Sequence, residues 1–239
     1  MARTVDVSFP SGSGRPMRGA LARPDATTPR PGVLVLHDVY GLVEDVRRIA
    51  ARVADLGYVA LVPDLYDTGH PKPLCIVRTF LAMKRGEGPA FADLDAASHW
   101  LAAREDVDGE RLAAVGFCLG GGFALLYGVR APLRATGVFY GDVPKDAAAL
   151  RGVCPVVAGY GERDRLYAPQ GERLRGHLEA LGVPHDYRSY PQAGHSYMNH
   201  LHGLGAALSA WGPLATRFDP AADADSWDRL ERFFRTHLG

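Results

Sequence analysis

The heptapeptide Gly116-Phe117-Cys118-Leu119-Gly120-Gly121-Gly122 closes a buried-strand pattern, Leu112 to Phe117, and opens a helical one. Glycines two positions before and two after a central nucleophilic side chain are what a nucleophile elbow needs. The strand-to-helix turn leaves no room for side chains there, and the helix that follows aims backbone N–H groups at developing negative charge. The central residue is a cysteine, where serine is the commoner choice. Taken alone, the heptapeptide also fits a buried structural cysteine beside a tight turn. A phosphate-binding glycine loop fits less well, because neither G-x-G-x-x-G nor G-x-x-x-x-G-K-S/T is satisfied.

Working outward, Val33-Leu34-Val35-Leu36 is a continuous apolar run, as in a strand covered on both faces, and it leads into His37-Asp38-Val39-Tyr40-Gly41. From Val43 to Leu56, Val46, Ile49, Ala50, Val53 and Ala54 recur at helical spacing, and Tyr58 to Val62 reads as the next buried strand. The alternation continues with a helix from about Pro89 to Arg104, a helix from Cys118, strands Thr136 to Tyr140 and Pro155 to Tyr160, a helix Gln170 to Leu181, a strand His185 to Tyr190 and a helix Ser226 to Leu238. Strands Thr4 to Phe9 and Arg18 to Arg23, joined through Ser11-Gly12-Ser13-Gly14, predict an antiparallel hairpin at the sheet edge. The expectation is one α/β domain over residues 1–239, its mostly parallel central sheet covered by helices on both faces. Residues 64–88, with room for one short helix, and 196–225 are expected to be irregular segments that form a pocket.

Charge and composition narrow the function. The 239 residues carry 27 Lys+Arg against 27 Asp+Glu, which gives no electrostatic case for a nucleic-acid or anionic-membrane partner. With 47% apolar and 23% charged residues the chain can bury a large core. Three cysteines, Cys75, Cys118 and Cys154, argue against a disulfide framework. The first residues read as a strand and not as a signal peptide, and no apolar run is long enough for a bilayer, so a cytoplasmic protein is expected. Apolar stripes that would mark a subunit interface look the same as those that cover the sheet, so oligomeric state is not legible.

If Cys118 is a nucleophile, its partners should follow in the order acid, then histidine, at the carboxyl ends of later strands. Gly159-Tyr160-Gly161-Glu162-Arg163-Asp164 ends one strand and offers Asp164, with Glu162 as an alternative earlier in the turn. Tyr190-Pro191-Gln192-Ala193-Gly194-His195 ends the next and offers His195. Each residue alone is commonly a turn former, but three roles on three strand ends in the required order fit nucleophile, base and orienter.

At these residues the chain resembles a known family. Gly-Phe-Cys-Leu-Gly-Gly at 116–121, His37 to Leu42, Tyr58 to Tyr66 and Ala193-Gly194-His195-Ser196-Tyr197 look like the dienelactone hydrolase (carboxymethylenebutenolidase) family. The resemblance runs from about Pro31 to the C-terminus. It implies an α/β-hydrolase fold, a triad of Cys118, His195 and Asp164, an oxyanion hole from the backbone N–H groups of Leu119 and Val39, and a small-molecule ester or lactone substrate. In family members that open dienelactone, a glutamate stands where Asp38 is. Two arginines there hold the substrate carboxylate; Asn199 occupies the position of one, and Arg78 is the candidate for the other. Asparagine offers no charge, which argues against an anionic lactone. Tyr40, Tyr140 and Tyr197 complete the expected substrate-binding residues.

The expected chemistry is attack by the Cys118 thiolate on an ester or lactone carbonyl, passing through a thioester. A thioesterase or acyl transferase on the same triad, or a catalytically silent binding member of the fold, are the alternatives, since loops choose the leaving group and acceptor. His195, His200 and His202 match no common metal spacing, and neither metal nor other cofactor is expected.

Overall fold

The computed structural model describes residues 2–201 and 210–239. Eight strands, β1 (Thr4–Pro10), β2 (Pro16–Ala22), β3 (Arg30–Leu36), β4 (Val59–Pro63), β5 (Val107–Phe117), β6 (Ala135–Phe139), β7 (Val156–Gly161) and β8 (His185–Tyr190), form one sheet in the order β1-β2-β4-β3-β5-β6-β7-β8. The predicted hairpin is present: β1 pairs antiparallel with β2, and β2 antiparallel with β4. All later pairings, from β3 with β4 to β7 with β8, are parallel.

Helices α1 (Glu44–Asp55), α2 (Lys72–Arg85), α3 (Pro89–Ala102), α4 (Leu119–Arg130), α5 (Ala168–Leu181) and α6 (Pro220–Leu238) cover the sheet. The period-2 pleat divides the core between its faces. Val33 and Val35 of β3 pack with Val46, Ile49 and Val53 of α1 and Trp227, Leu230 and Phe234 of α6. Leu34 and Leu36 point the other way, into Cys75 and Met83 of α2 and Phe91, Leu94 and Leu101 of α3. The sheet thus matches the mostly parallel α/β architecture expected from the alternation and the α/β-hydrolase fold that the resemblance implies.

Two expectations about elements change. Residues 64–88 are not a mostly irregular connection: α2 fills Lys72–Arg85. Pro71 and Pro73 lie at its cap and first turn, where no intrahelical N–H is required, and Gly86 closes it with a left-handed φ of 71°. The last helix begins at Pro220 and not at Ser226, because the Asp219 carboxylate accepts hydrogen bonds from the Ala221 and Ala222 amides.

Strand order reverses between β3 and β5: β3 is followed by β4 on one side and by β5 on the other. Helices diverge there, and the crevice at the carboxyl ends of those two strands is where open α/β sheets bind ligands. His37, Asp38 and Val39 leave β3 at this point, and Cys118 leaves β5 beside them.

Candidate active site

Cys118 has φ 53° and ψ −116°, a left-handed conformation that a residue with a Cβ adopts only where its surroundings impose it. The flanking glycines show what imposes it. A Cβ on Gly116 would run into the Gly120 carbonyl oxygen, and one on Gly120 into the carbonyl oxygens of Leu36 and His37. The β5–α4 turn is therefore pressed against β3, and its tip presents Cys118, which is partly exposed. The Cys118 N–H is taken by the Phe139 carbonyl, 3.0 Å away. Tyr140 (φ 43°) and Ser196 (φ 55°), next in chain to β6 and to His195, also hold left-handed backbones, so strain concentrates around this point.

His195 and Asp164 are brought to the same place by the loops after β8 and β7. His195 Nδ1 lies 2.6 Å from Asp164 Oδ2, and both residues are buried. The other Asp164 oxygen accepts the Leu166 and Tyr167 amides, each at 3.0 Å, so the carboxylate is fixed at both ends. The imidazole also lies within electrostatic reach of the Cys118 sulfur. Burial disfavours its charged form, but the Cys118 sulfur as thiolate and the Asp164 carboxylate outweigh burial, and the His195 pKa is pushed up to about 10. Tyr167 and Tyr140 hold the ring, with centroids 4.7 and 5.2 Å from it. Glu162, the alternative acid, accepts instead from the Ser189 hydroxyl.

The segment after His195 is pinned by backbone. The His195 N–H donates to the Leu214 carbonyl at 2.8 Å, and the Arg217 N–H donates to the His195 carbonyl at 3.3 Å. Within the expected irregular segment 196–225, positions 202–209 lie outside the described residues, His202 among them. His200 packs edge-on against Phe218 at 4.2 Å. Among the described residues, no group of three or more His, Cys, Asp or Glu side chains is arranged to hold a metal.

The other candidates separate into two sets. Val39, Leu119 and Cys118 line one cavity of about 290 Å³. Asp38 is buried beside it, its Oδ1 accepting the Tyr40 N–H at 2.8 Å. Burial, with repulsion from Asp45, pushes the Asp38 pKa up to about 6 against the pull of that N–H and of His195 and Lys72. Tyr40 is exposed and lines a neighbouring cavity with Tyr66 and Lys72.

Four expected substrate contacts lie elsewhere. Tyr140 and Tyr197 are completely buried, beneath the site and not in it. The Tyr140 hydroxyl donates to Asn199 Oδ1 at 2.6 Å, and Asn199 Nδ2 donates to Asp45 Oδ2 at 2.8 Å, a chain that ties the histidine loop to α1. The Tyr197 hydroxyl meets Ser226 Oγ of α6 at 2.9 Å. Arg78 sits on the far side of α2, where its Nη1 donates to His70 Nε2 at 3.3 Å and it lines a separate cavity of about 600 Å³ with Arg15 and Arg85. These positions correct the assignments: a tyrosine with no exposed surface cannot touch substrate, and α2 turns Arg78 away from Cys118. Of the other cysteines, Cys75 is buried, and burial pushes the Cys154 thiol up to about 12.

Sequence reasoning missed Tyr167, which abuts His195, and the wall supplied by α2, namely Ile76, Val77, Phe80 and Met83. It also passed over Tyr66, whose hydroxyl is buried without a hydrogen-bond partner among the described residues. The apolar positions of α2 were visible, but the helix itself had been read as mostly loop.

Comparison with known proteins agrees with this architecture. The model of the dienelactone hydrolase family matches residues 17–238. A provisionally named carboxymethylenebutenolidase of Yersinia pestis is 30% identical over 97% of this chain and 88% of its own length. The carboxymethylenebutenolidase of Rhodococcus opacus is 28% identical over 86% of this chain and 81% of that protein. The crystal structure of a provisionally named dienelactone hydrolase of Klebsiella pneumoniae subsp. pneumoniae superposes with a TM-score of 0.78 at 25% identity, covering 98% of this chain and 99% of that one.

Proposed function

The chain belongs to the dienelactone hydrolase family, and from that premise we propose that it hydrolyses an ester or lactone of a small molecule with Cys118 as nucleophile, His195 as base and acid, and Asp164 as orienter. The observation that carries the reading is the His195 imidazole, bonded to Asp164 through Nδ1 and interacting electrostatically with Cys118, which stands at the tip of a strained strand-to-helix turn.

In this mechanism the Cys118 thiolate, stabilised by the protonated His195, adds to the carbonyl carbon, and the carbonyl oxygen takes the negative charge. The Leu119 N–H at the start of α4 and the Val39 N–H after β3 receive that oxyanion; the Cys118 N–H already serves Phe139 and is not free to do so. His195 gives its proton to the departing alkoxide as the carbon–oxygen bond breaks, leaving a thioester on Cys118. Neutral His195 then takes a proton from water. Hydroxide attacks the thioester, and the thiolate–imidazolium pair returns with release of the acid. Asp164 keeps the Nδ1–H pointed at itself throughout, so that Nε2 is the atom left to face the sulfur.

Cys118→Ala tests this directly with p-nitrophenyl acetate. The expected result is a loss of at least about a thousandfold in kcat/KM with an unchanged melting curve. Rapid quenching of the wild type should give an acetylated peptide containing Cys118. Undiminished turnover by Cys118→Ala, or a wild type that shows neither burst nor turnover, would sink the proposal, the second outcome being that of a silent binder.

A further inference from the structure

Resting on the reading of Cys118 as nucleophile, we propose that the site selects uncharged esters, whose apolar acyl group lies along α2, over substrates that carry a carboxylate.

α2 shows the wrong face to water for a helix that only covers a core. Leu74, Val77, Phe80 and Leu81 are 41 to 55% exposed, and Val77 and Phe80 stand one helical turn apart. A contiguous exposed apolar surface on a soluble protein marks a place where something apolar binds. Here the surface runs inward: Ile76, Val77, Phe80 and Met83 form one wall of the 290 Å³ cavity, Tyr167 belongs to its lining, and Cys118 and Leu119 are at its reactive end. An acyl chain in that cavity would place its carbonyl at the sulfur and at the N-terminus of α4.

Charge in the cavity points the same way. Among the described residues no Lys or Arg lines it. Its carboxylate, Asp142, is paired with Lys84 Nζ at 2.6 Å, so the nearest ammonium already has a counter-charge. Arg78 and Arg85 line the other cavity, on the far side of the helix. Asn199, four residues after His195, is spent on Tyr140 and Asp45. A substrate carboxylate would enter without a counter-charge and lose its hydration among aliphatic side chains, a cost that a neutral chain avoids.

The test compares p-nitrophenyl acetate, butyrate and hexanoate with p-nitrophenyl hemisuccinate, which carries a carboxylate at the end of a similar acyl chain. The expected result is a kcat/KM that rises roughly two- to fourfold per methylene along the neutral series. The hemisuccinate should be slower than the butyrate by at least about tenfold, from the desolvation of its charge. Phe80→Arg, at an exposed position of α2, should raise the hemisuccinate-to-butyrate ratio by about tenfold by supplying the missing guanidinium. Cys118-dependent turnover that prefers the hemisuccinate, or a ratio unmoved by Phe80→Arg, overturns the inference while leaving the nucleophile intact. A readout independent of turnover separates the two readings: butyramide should protect Cys118 from iodoacetamide at concentrations where succinamate does not. If that protection holds while ester turnover is absent or survives Cys118→Ala, the cavity preference stands and the hydrolytic reading falls. Equal protection by both amides overturns the preference.

Discussion

Asp38 is held buried at the end of β3 with its carboxyl pushed up to about 6. The native state therefore binds that proton more tightly than the unfolded chain does. Between about pH 4 and about pH 6 the folded protein holds protons that the unfolded one has released, so this group lowers stability as pH rises, by roughly 2 to 3 kcal/mol in all. Asn in its place keeps an oxygen for the Tyr40 N–H and removes the titration. Asp38→Asn should melt like the wild type near pH 4 and at a higher temperature near pH 7. A melting-temperature difference that stays flat across that range would show that burial does not raise this carboxyl. The residue types of the proposed triad were legible in the sequence because an elbow, an acid turn and a glycine–histidine turn each carry their own local signature. Tyr197 and Asn199, close to His195 in sequence, and Tyr140, at a strand end, were misjudged because position in sequence does not say which way a side chain turns.

At the scale of elements, the β5–α4 turn depends on how closely α4 approaches β3. Gly120 lies under the Leu36 and His37 carbonyls, and an added Cβ would meet the His37 oxygen at 2.6 Å and the Leu36 oxygen closer still. Backbone cannot give way as a flexible side chain can, so Gly120→Ala should cost at least about 2 kcal/mol in urea unfolding and displace the cysteine. A variant as stable as the wild type would mean that the turn relaxes freely and that its strain is incidental. Helix α2 teaches the opposite lesson about legibility. Its two prolines and its glycines read as loop, and only the placement of those residues at the helix ends, together with the packing of Cys75 and Met83 against the sheet, makes it helical. Local pattern and tertiary context disagreed there, and context prevailed.

For the molecule as a whole, α6 closes one face of the sheet, and its Ser226 meets the Tyr197 hydroxyl beneath the site. Trp227 is buried in that face, its Nε1–H donating to Asp223 at 3.0 Å and its ring lying 4.4 Å from the Arg52 guanidinium carbon. Trp227→Ala should lower unfolding free energy by about 3 to 5 kcal/mol, as for large aromatic truncations in cores. It should leave kcat/KM on p-nitrophenyl butyrate within about threefold of wild type below the melting temperature, because the proposed catalytic residues stand at the β5, β7 and β8 ends. A loss of activity without a loss of stability would instead tie α6 to the chemistry. Charge at this scale is neutral, and no described helix is long and apolar enough to cross a membrane.

By itself the sequence determined the alternation of strands and helices, the edge hairpin, and the order of Cys118, Asp164 and His195, because each is written in short-range periodicity, turn chemistry and residue type. Tertiary structure alone decided which face of α2 meets the cysteine, that Arg78 and Arg85 look away from it, and that Asn199 is a strut between Tyr140 and Asp45. Those outcomes depend on how elements distant in sequence rotate against one another as they bury a shared core. No local pattern encodes that rotation, and it sets the chemical character of the cavity.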